Sequence, residues 1–294
     1  MPDVSCSLPG CTGGMENLAG LVRAIGYEVL PVRRTEQAVL AHVPTSVPLT
    51  VTVTEARGLD ATLDLAVRLR GHGYRVAPHL AARQFVAVSQ VEDVVGRLRS
   101  AGVTSVFVVG GDAPRPAGPL QDASALLQAM ETIGHPFTEV GIGGYPEGHG
   151  TIPGAAIDLA LKQKAPMATK VITQMCFDAT VTTAWAANIA GAGVELPVHV
   201  GLPGPVNRQK LVRIAGGLGL GQSARFLSKQ SRFLLRLLLP RGYDPTRLVR
   251  RLDTESSTVD TNIRGLHVFT FNELHRTELW RQRLLGAVAD WLAS

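Results

Sequence analysis

The 294-residue chain has no apolar run approaching the roughly 20 residues that cross a bilayer. Its longest, Phe233 to Leu239, is broken by Arg236, so no membrane-spanning helix is expected. Near the start, Asp3 precedes Ser, Gly and Cys residues without the basic and apolar regions of a secretory signal, and export is not expected. Cysteine is scarce. Cys6, Cys11 and Cys176 cannot all pair, which argues against a disulfide framework and for a reducing cytoplasm. Cys6 and Cys11 have no accompanying His or Cys cluster, so no metal site is expected. No GxGxxG follows a strand-like run, and a Rossmann nicotinamide site is not indicated. Charged residues are only 18% of the chain, too few for a heavily solvated polymer, while 45% hydrophobic residues supply a sizeable core.

What charge there is lies unevenly. From Arg208 to Arg251 there are eleven Lys or Arg residues and one acid, Asp244, within a chain of net charge +5. That stretch reads either as a solvated helix face or as a contact for a polyanionic small molecule. Nucleic acid is disfavoured because aromatics are not interleaved with the basic residues.

Short β-branched runs alternate with segments of helical spacing. The expected strands are Tyr27–Val32, Leu49–Thr54, Arg75–Leu80, Ser105–Val109, Glu139–Gly143, Lys170–Phe177, Pro197–Gly201 and Leu266–Phe271. Helical segments fall at Glu36–His42, Leu59–His72, Val91–Ala101, Ala123–Ile133, Gly154–Ala165, Val181–Gly191, Gln209–Gly217 and Leu274–Leu292. Such alternation demands parallel strands joined by crossover helices, and runs such as Val106–Val109 are apolar enough to be covered on both faces. Eight units over this length predict a closed (β/α)8 barrel as a single domain. Residues 1–25 read as a leader and helix and 26–294 as the barrel. Residues 222–264 form a basic helical insertion before the eighth strand, with a Ser/Thr-rich loop at 255–261.

In such barrels chemistry sits on the loops that follow the strands. Those positions here read YEVLPV at Tyr27–Val32, APHLA at Ala77–Ala81, VGGD at Val109–Asp112 and YPEGHG at Tyr145–Gly150. They continue with ITQMCFD at Ile172–Asp178, VGLPGP at Val200–Pro205 and FTFN at Phe269–Asn272. In this order, across nearly all of residues 26–290, the seven segments resemble the strand ends of the methylenetetrahydrofolate reductase family. The resemblance implies the same barrel. It also implies reduction of 5,10-methylenetetrahydrofolate to 5-methyltetrahydrofolate with NADH or NADPH, the family's usual route passing the hydride through FAD.

Residue chemistry runs alongside what the resemblance implies. Glu28, a carboxyl at the mouth of an apolar strand, can have its pKa raised by desolvation and act as the acid that protonates the departing N10; a strand-end salt bridge is the alternative. Asp112, after two glycines, can accept the paired N–H donors of a pterin, or cap a helix. Gln174 offers donor and acceptor to a planar edge, or a hydrogen bond inside the barrel. Phe177 and Phe271 read as apolar walls of the substrate site, or as core. By the resemblance His79, Gly111, Tyr145, His149 and Lys164 hold the cofactor or line its pocket.

The departures from the family cluster on the flavin. Gly110 stands where the family has an arginine, Glu55 enters a loop usually free of acids, Gln163 replaces another basic anchor and Asp122 replaces an aromatic. These losses point to a reductase without FAD, the nicotinamide coenzyme filling the flavin's space and giving hydride directly. The alternatives are the family's FAD-dependent ping-pong route and a folate-binding or methyl-transfer subunit that has lost reductase chemistry. The basic segment is then a candidate contact for the glutamate tail of polyglutamylated folate.

Overall fold

Eight strands alternate with helices in a computed structural model that describes residues 18–150, 152–206, 243–259 and 261–292. After a helical stretch at 18–23 come β1 (Ile25–Val29), α1 (Thr35–His42), β2 (Leu49–Val51), α2 (Gly58–Gly71), β3 (Val76–Ala81) and α3 (Ser89–Ser100). They are followed by β4 (Ser105–Val109), α4 (Ala123–Ile133), β5 (Glu139–Gly144), α5 (Gly154–Lys164), β6 (Lys170–Met175) and α6 (Ala179–Gly191). The chain ends with β7 (Val198–Pro203), α7 (Thr246–Ser256), β8 (Ile263–Phe269) and α8 (Leu274–Leu292). The strands pair in parallel and in sequence order, and β8 returns to β1 to close the expected barrel. Residues 1–17, the expected helix at Gln209–Gly217 and residues 222–242 of the expected insertion lie outside the described residues.

Alternation along each strand decides which side chains face the helices. Val106 and Val108, Val198 and Val200, and Leu266 and Val268 are fully buried against the outer layer. These β-branched and aliphatic residues form one continuous core with the helices. On β1, Tyr27 faces outward and donates its hydroxyl to Glu278 of α8 at 2.8 Å, where Arg281 pairs with the same carboxylate at 2.7 Å. Helix α7, inside the stretch read as an insertion, packs against α6 and buries Leu248, Val249 and Leu252.

Four strand ends fall short of the sequence reading, among them β8, which stops at Phe269 rather than Phe271. β1 stops at Val29 rather than Val32, because the backbone of Leu30 is taken by Asn272. The Asn272 Oδ1 accepts from Leu30 N–H at 2.9 Å, while its Nδ2 donates to Leu30 O at 3.2 Å and Thr35 Oγ1 at 2.8 Å. β6 stops at Met175 rather than Phe177, its register with β7 shifting between Ile172 and Met175 as the Gln174 side chain captures Met175 N–H at 2.9 Å. β2 ends at Val51, three residues short of the expected Thr54, and the chain then turns through residues 55–57 into α2. Among the described residues no helix is long and apolar enough to cross a membrane.

Candidate functional site

The C-terminal mouth of the barrel has two unlike sides. Beyond β4, β5 and β6 lies an open cavity of about 750 Å³. Six residues expected from the sequence line it together: Gly111, Asp112, Tyr145, His149, Lys164 and Gln174. Gly111 has φ +92°, a conformation that L side chains rarely adopt, and a Cβ there would press on Ala81 at 3.0 Å. The loop it begins is tied down by Arg83, which donates to Gln121 O and Ala113 O, both at 2.9 Å. Asp112 does not cap the next helix. Asp122 does, accepting from Ala125 N–H at 3.0 Å, which gives a structural reason for an acid where the family has an aromatic.

Desolvation acts on two groups of this cavity. It raises the Tyr145 hydroxyl, with a smaller push from Asp112, and lowers the Lys164 ammonium against the attraction of Asp122. Tyr145 and His149 meet edge to face with ring centres 5.3 Å apart. Gln174 points inward from β6, and with its oxygen bound to Met175 N–H its amide NH2 is the group that can donate.

Glu28, His79, Phe177 and Phe271 are not part of that lining. Glu28 projects into the barrel from β1 and is only 8% exposed. Its Oε2 lies 3.6 Å from His267 Nε2 and 3.7 Å from His79 Nε2, and the His267 nitrogen also lies 3.3 Å from Thr50 Oγ1. The Thr270 hydroxyl donates to Glu28 O at 2.6 Å. Burial pushes the Glu28 carboxyl up, the largest single effect. The polar contact with His267, the attraction of His79 and His267, and Thr52 together outweigh it and hold the carboxyl below its usual value. Desolvation therefore acts as expected from the sequence but does not win in the unliganded protein.

His79 is pushed down to about 4, by burial first, with Glu28 opposing and His267 adding to the shift. A neutral His79 cannot attract a carboxylate, so its share in the lowering of Glu28 fades at pH 7. His79, assigned to the cofactor by resemblance, thus sits beside the acid, its ring 4.7 Å from that of Phe107.

Phe177 and Phe271 are 9% and 6% exposed. Phe177 N–H and Asp178 N–H both donate to Glu147 Oε1, at 2.6 and 2.9 Å, so the YPEGHG glutamate shapes the loop after β6. Phe271 has φ +50° and Asn272 φ +60°, a left-handed turn held by the Asn272 side chain. Neither Glu55 nor Phe271 touches the cavity. Cys176 is buried with its thiol pushed up to about 12, chiefly by burial, and is unsuited to nucleophilic work.

The sequence reading missed His267, Thr50 and His199, all inside strands. The available signal was alternation: Val198-His199-Val200 and Leu266-His267-Val268 put each histidine on the face opposite two core residues, which in a barrel is the interior.

A flavin held permanently needs fixed donors for its pyrophosphate. Among the described residues the lining has two cations, Arg83 and Lys164, against the carboxylates of Asp112, Asp122 and Glu147, and the Arg83 guanidinium is already engaged by backbone carbonyls. That donor set does not fit a permanently bound FAD.

A sequence profile described as methylenetetrahydrofolate reductase matches residues 31–218, a span that takes in Asp112, Tyr145 and Gln174 but neither Glu28 nor β8. Over 141 residues the chain is 26% identical to "Methylenetetrahydrofolate reductase 2" of Saccharomyces cerevisiae, covering 44% of this chain and 23% of the yeast protein. The chain therefore aligns with less than a quarter of that relative. Among solved structures, a Clostridium thermocellum protein described as binding two copies of 5-methyl-5,6,7,8-tetrahydrofolic acid superposes with TM-score 0.59 at 12% identity, covering 95% of this chain and 99% of the other. An oxaloacetate acetylhydrolase superposes with TM-score 0.51 at 11% identity, covering 97% and 86%. At these identities the likeness is one of fold.

Proposed function

Because the chain belongs to the methylenetetrahydrofolate reductase family, we propose that it reduces 5,10-methylenetetrahydrofolate to 5-methyltetrahydrofolate with hydride taken directly from NADH or NADPH. The observation that carries this reading is the division of the barrel mouth: a sealed carboxyl among polar partners on one side, and an open cavity poor in cations on the other.

Glu28 is the general acid. Opening the imidazolidine ring requires a proton on N10 as the bond from the methylene carbon to N10 breaks and its electron pair goes to N10. The resulting 5-iminium carbon accepts the hydride. A folate ring over the mouth removes the remaining water from Glu28, which moves the carboxyl toward the protonated form it needs. Asp112 accepts from the pterin's 2-amino and N3 groups and the Gln174 amide donates to its edge, while Phe177 and Phe271 provide apolar walls. Gly111, Tyr145, His149 and Lys164 hold the coenzyme. Asp112 and Gln174 also line the cavity, so folate and coenzyme would meet there, as direct transfer requires. The basic segment from Arg208 to Arg251, of which only residues 243–251 are described, is assigned to the folate's glutamate tail. Residues 222–264 are read as an insertion in one barrel domain.

The test is a spectrum of the purified protein followed by oxidation of NADH or NADPH with methylenetetrahydrofolate and no added cofactor. Flavin-free protein that turns over supports direct transfer. Stoichiometric FAD, or activity only when FAD is supplied, returns the chain to the two-step route. Folate binding without turnover under any cofactor regime makes it a binding subunit.

A further inference from the structure

The barrel interior below the mouth is polar where such barrels are ordinarily filled by branched aliphatics. Glu28, Thr50, His79 and His267 converge there from β1, β2, β3 and β8. One inward position nearer the start of the strands, His199 faces Gly265 across the β7–β8 pair, where a Cβ would fall 2.7 Å from the His199 Nδ1; only glycine leaves room for the ring. Below it the Lys170 ammonium and the Glu139 carboxylate pair at 2.7 Å. At 3.6 and 3.7 Å the two imidazole approaches to Glu28 are too long for hydrogen bonds, and His79 Nε2 is buried with no hydrogen-bond partner. Polar atoms are thus gathered around one carboxyl oxygen and left short of full bonding, an arrangement that costs stability unless it serves the site.

Resting on the reductase reading, we propose that His267 is a positioning residue that shares a proton with Glu28, so that the proton delivered to N10 is held by the Glu28–His267 pair in the free enzyme, across the 3.6 Å that separates them. An ionised carboxylate cannot donate, and the free protein favours that form of Glu28. Of the two neighbouring imidazoles, His79 is neutral at pH 7. His267 is the remaining partner, and the Thr50 hydroxyl steadies its Nε2 whichever tautomer is present. When folate covers the mouth, the shared proton settles on Glu28 and passes to N10. The pair is left one proton short and regains it from water after product leaves. The other titratable groups that face the pair are His79 from β3 and His199 from β7, the latter coupled to Lys170 of β6 and Glu139 of β5. Two such close groups titrate as a unit.

Two measurements separate this proposal from the reading beneath it. In the first, the pH dependence of kcat is recorded for wild type, His267→Gln, His267→Ala and His79→Gln, with folding checked by circular dichroism. His267→Gln is expected to lose roughly tenfold or more in kcat at neutral pH with folate affinity within about threefold. Its residual rate should climb as pH falls and solvent protonates Glu28. Free imidazole should restore part of the His267→Ala rate, and His79→Gln should keep the wild-type pH dependence. A loss in His267→Gln that is uniform across pH, or no loss, overturns the proposal. The second measurement is an NMR titration of the histidine rings in unliganded wild type and Glu28→Gln. The His267 midpoint should move by roughly one pH unit or more when the carboxylate is removed. An unmoved midpoint overturns the shared proton whatever the activity. A wild-type protein that never oxidises reduced nicotinamide with methylenetetrahydrofolate overturns the reductase reading instead.

Discussion

The two sides of the barrel mouth differ as a lock differs from a doorway. On the side of β1, β3 and β8, Glu28, His79 and His267 are each 8% exposed or less, and the backbone beneath is tied by Thr270 and Asn272. On the side of β4, β5 and β6, loops after glycine-rich strand ends leave about 750 Å³ open, lined by side chains of both charges. Protons are small and need a fixed low-dielectric setting; a dinucleotide is large and must enter and leave each turnover. On the proposed reading one mouth supplies both conditions, because the closed sheet lets its two halves be built independently.

The largest expected effect tests the sealed side. Glu28→Gln keeps size and polarity but removes the transferable proton, so turnover should fall about 100-fold or more while folate affinity, read by titration calorimetry, changes little. Near-normal turnover would make Glu28 a structural residue and dissolve the contrast.

A second test reads the same side through stability. Unfolded His79 takes a proton near its ordinary value of 6.5, whereas the folded ring refuses it until about 4. Its contribution is therefore intact above pH 6.5 and is lost as pH falls toward 4, at up to about 1.4 kcal/mol per pH unit. His199, also held near 4, acts in the same window, while the lowered Glu28 acts below its usual carboxylate range. Urea melts between pH 6.5 and 4.5 should show a shallower slope in His79→Gln than in wild type. Parallel slopes would mean that His79 is hydrated.

For the open side, Lys164→Met keeps the buried stem and removes the charge. The KM for reduced nicotinamide should rise about tenfold with kcat nearly unchanged, the loss of one charge-assisted contact. A fall in kcat instead would move Lys164 into the chemistry. The smallest effect concerns the basic segment. A preference of a few-fold for polyglutamylated over monoglutamyl substrate at low ionic strength should fade near physiological salt, where screening acts over about 8 Å. Equal affinity at low salt would return Arg247, Arg250 and Arg251 to a solvated helix face.

The sealed side was also the harder one to read in the sequence. Strand order and closure follow from apolar runs such as Val106–Val109 separated by helical spacing, and the residues around the cavity follow from the rule that loops after strands carry the site. Strand ends failed where a side chain captures backbone: nothing in the local pattern of Leu30 announces that Asn272, 242 positions away, will take its N–H. His267 was invisible for a related reason. A histidine between a leucine and a valine looks like half of an ordinary alternating strand, and only closure turns that face into the neighbourhood of Glu28. The direction of the Glu28 shift was likewise beyond reach, since burial can be read from a strand but the opposing partners cannot.

The seam between β1 and β8 has a consequence for how the molecule comes into being. Every described residue that lines the cavity is synthesised by Gln174, but His267 and Asn272 leave the ribosome much later. Until then β1 waits as an unpaired edge, and the carboxyl of Glu28 lies open to water as an ordinary acid. The doorway can be assembled during translation, whereas the proton's setting can appear only when β8 meets β1. A ribosome that stops short of β8 would release a chain with the residues of the cavity and without the pairing of Glu28 and His267.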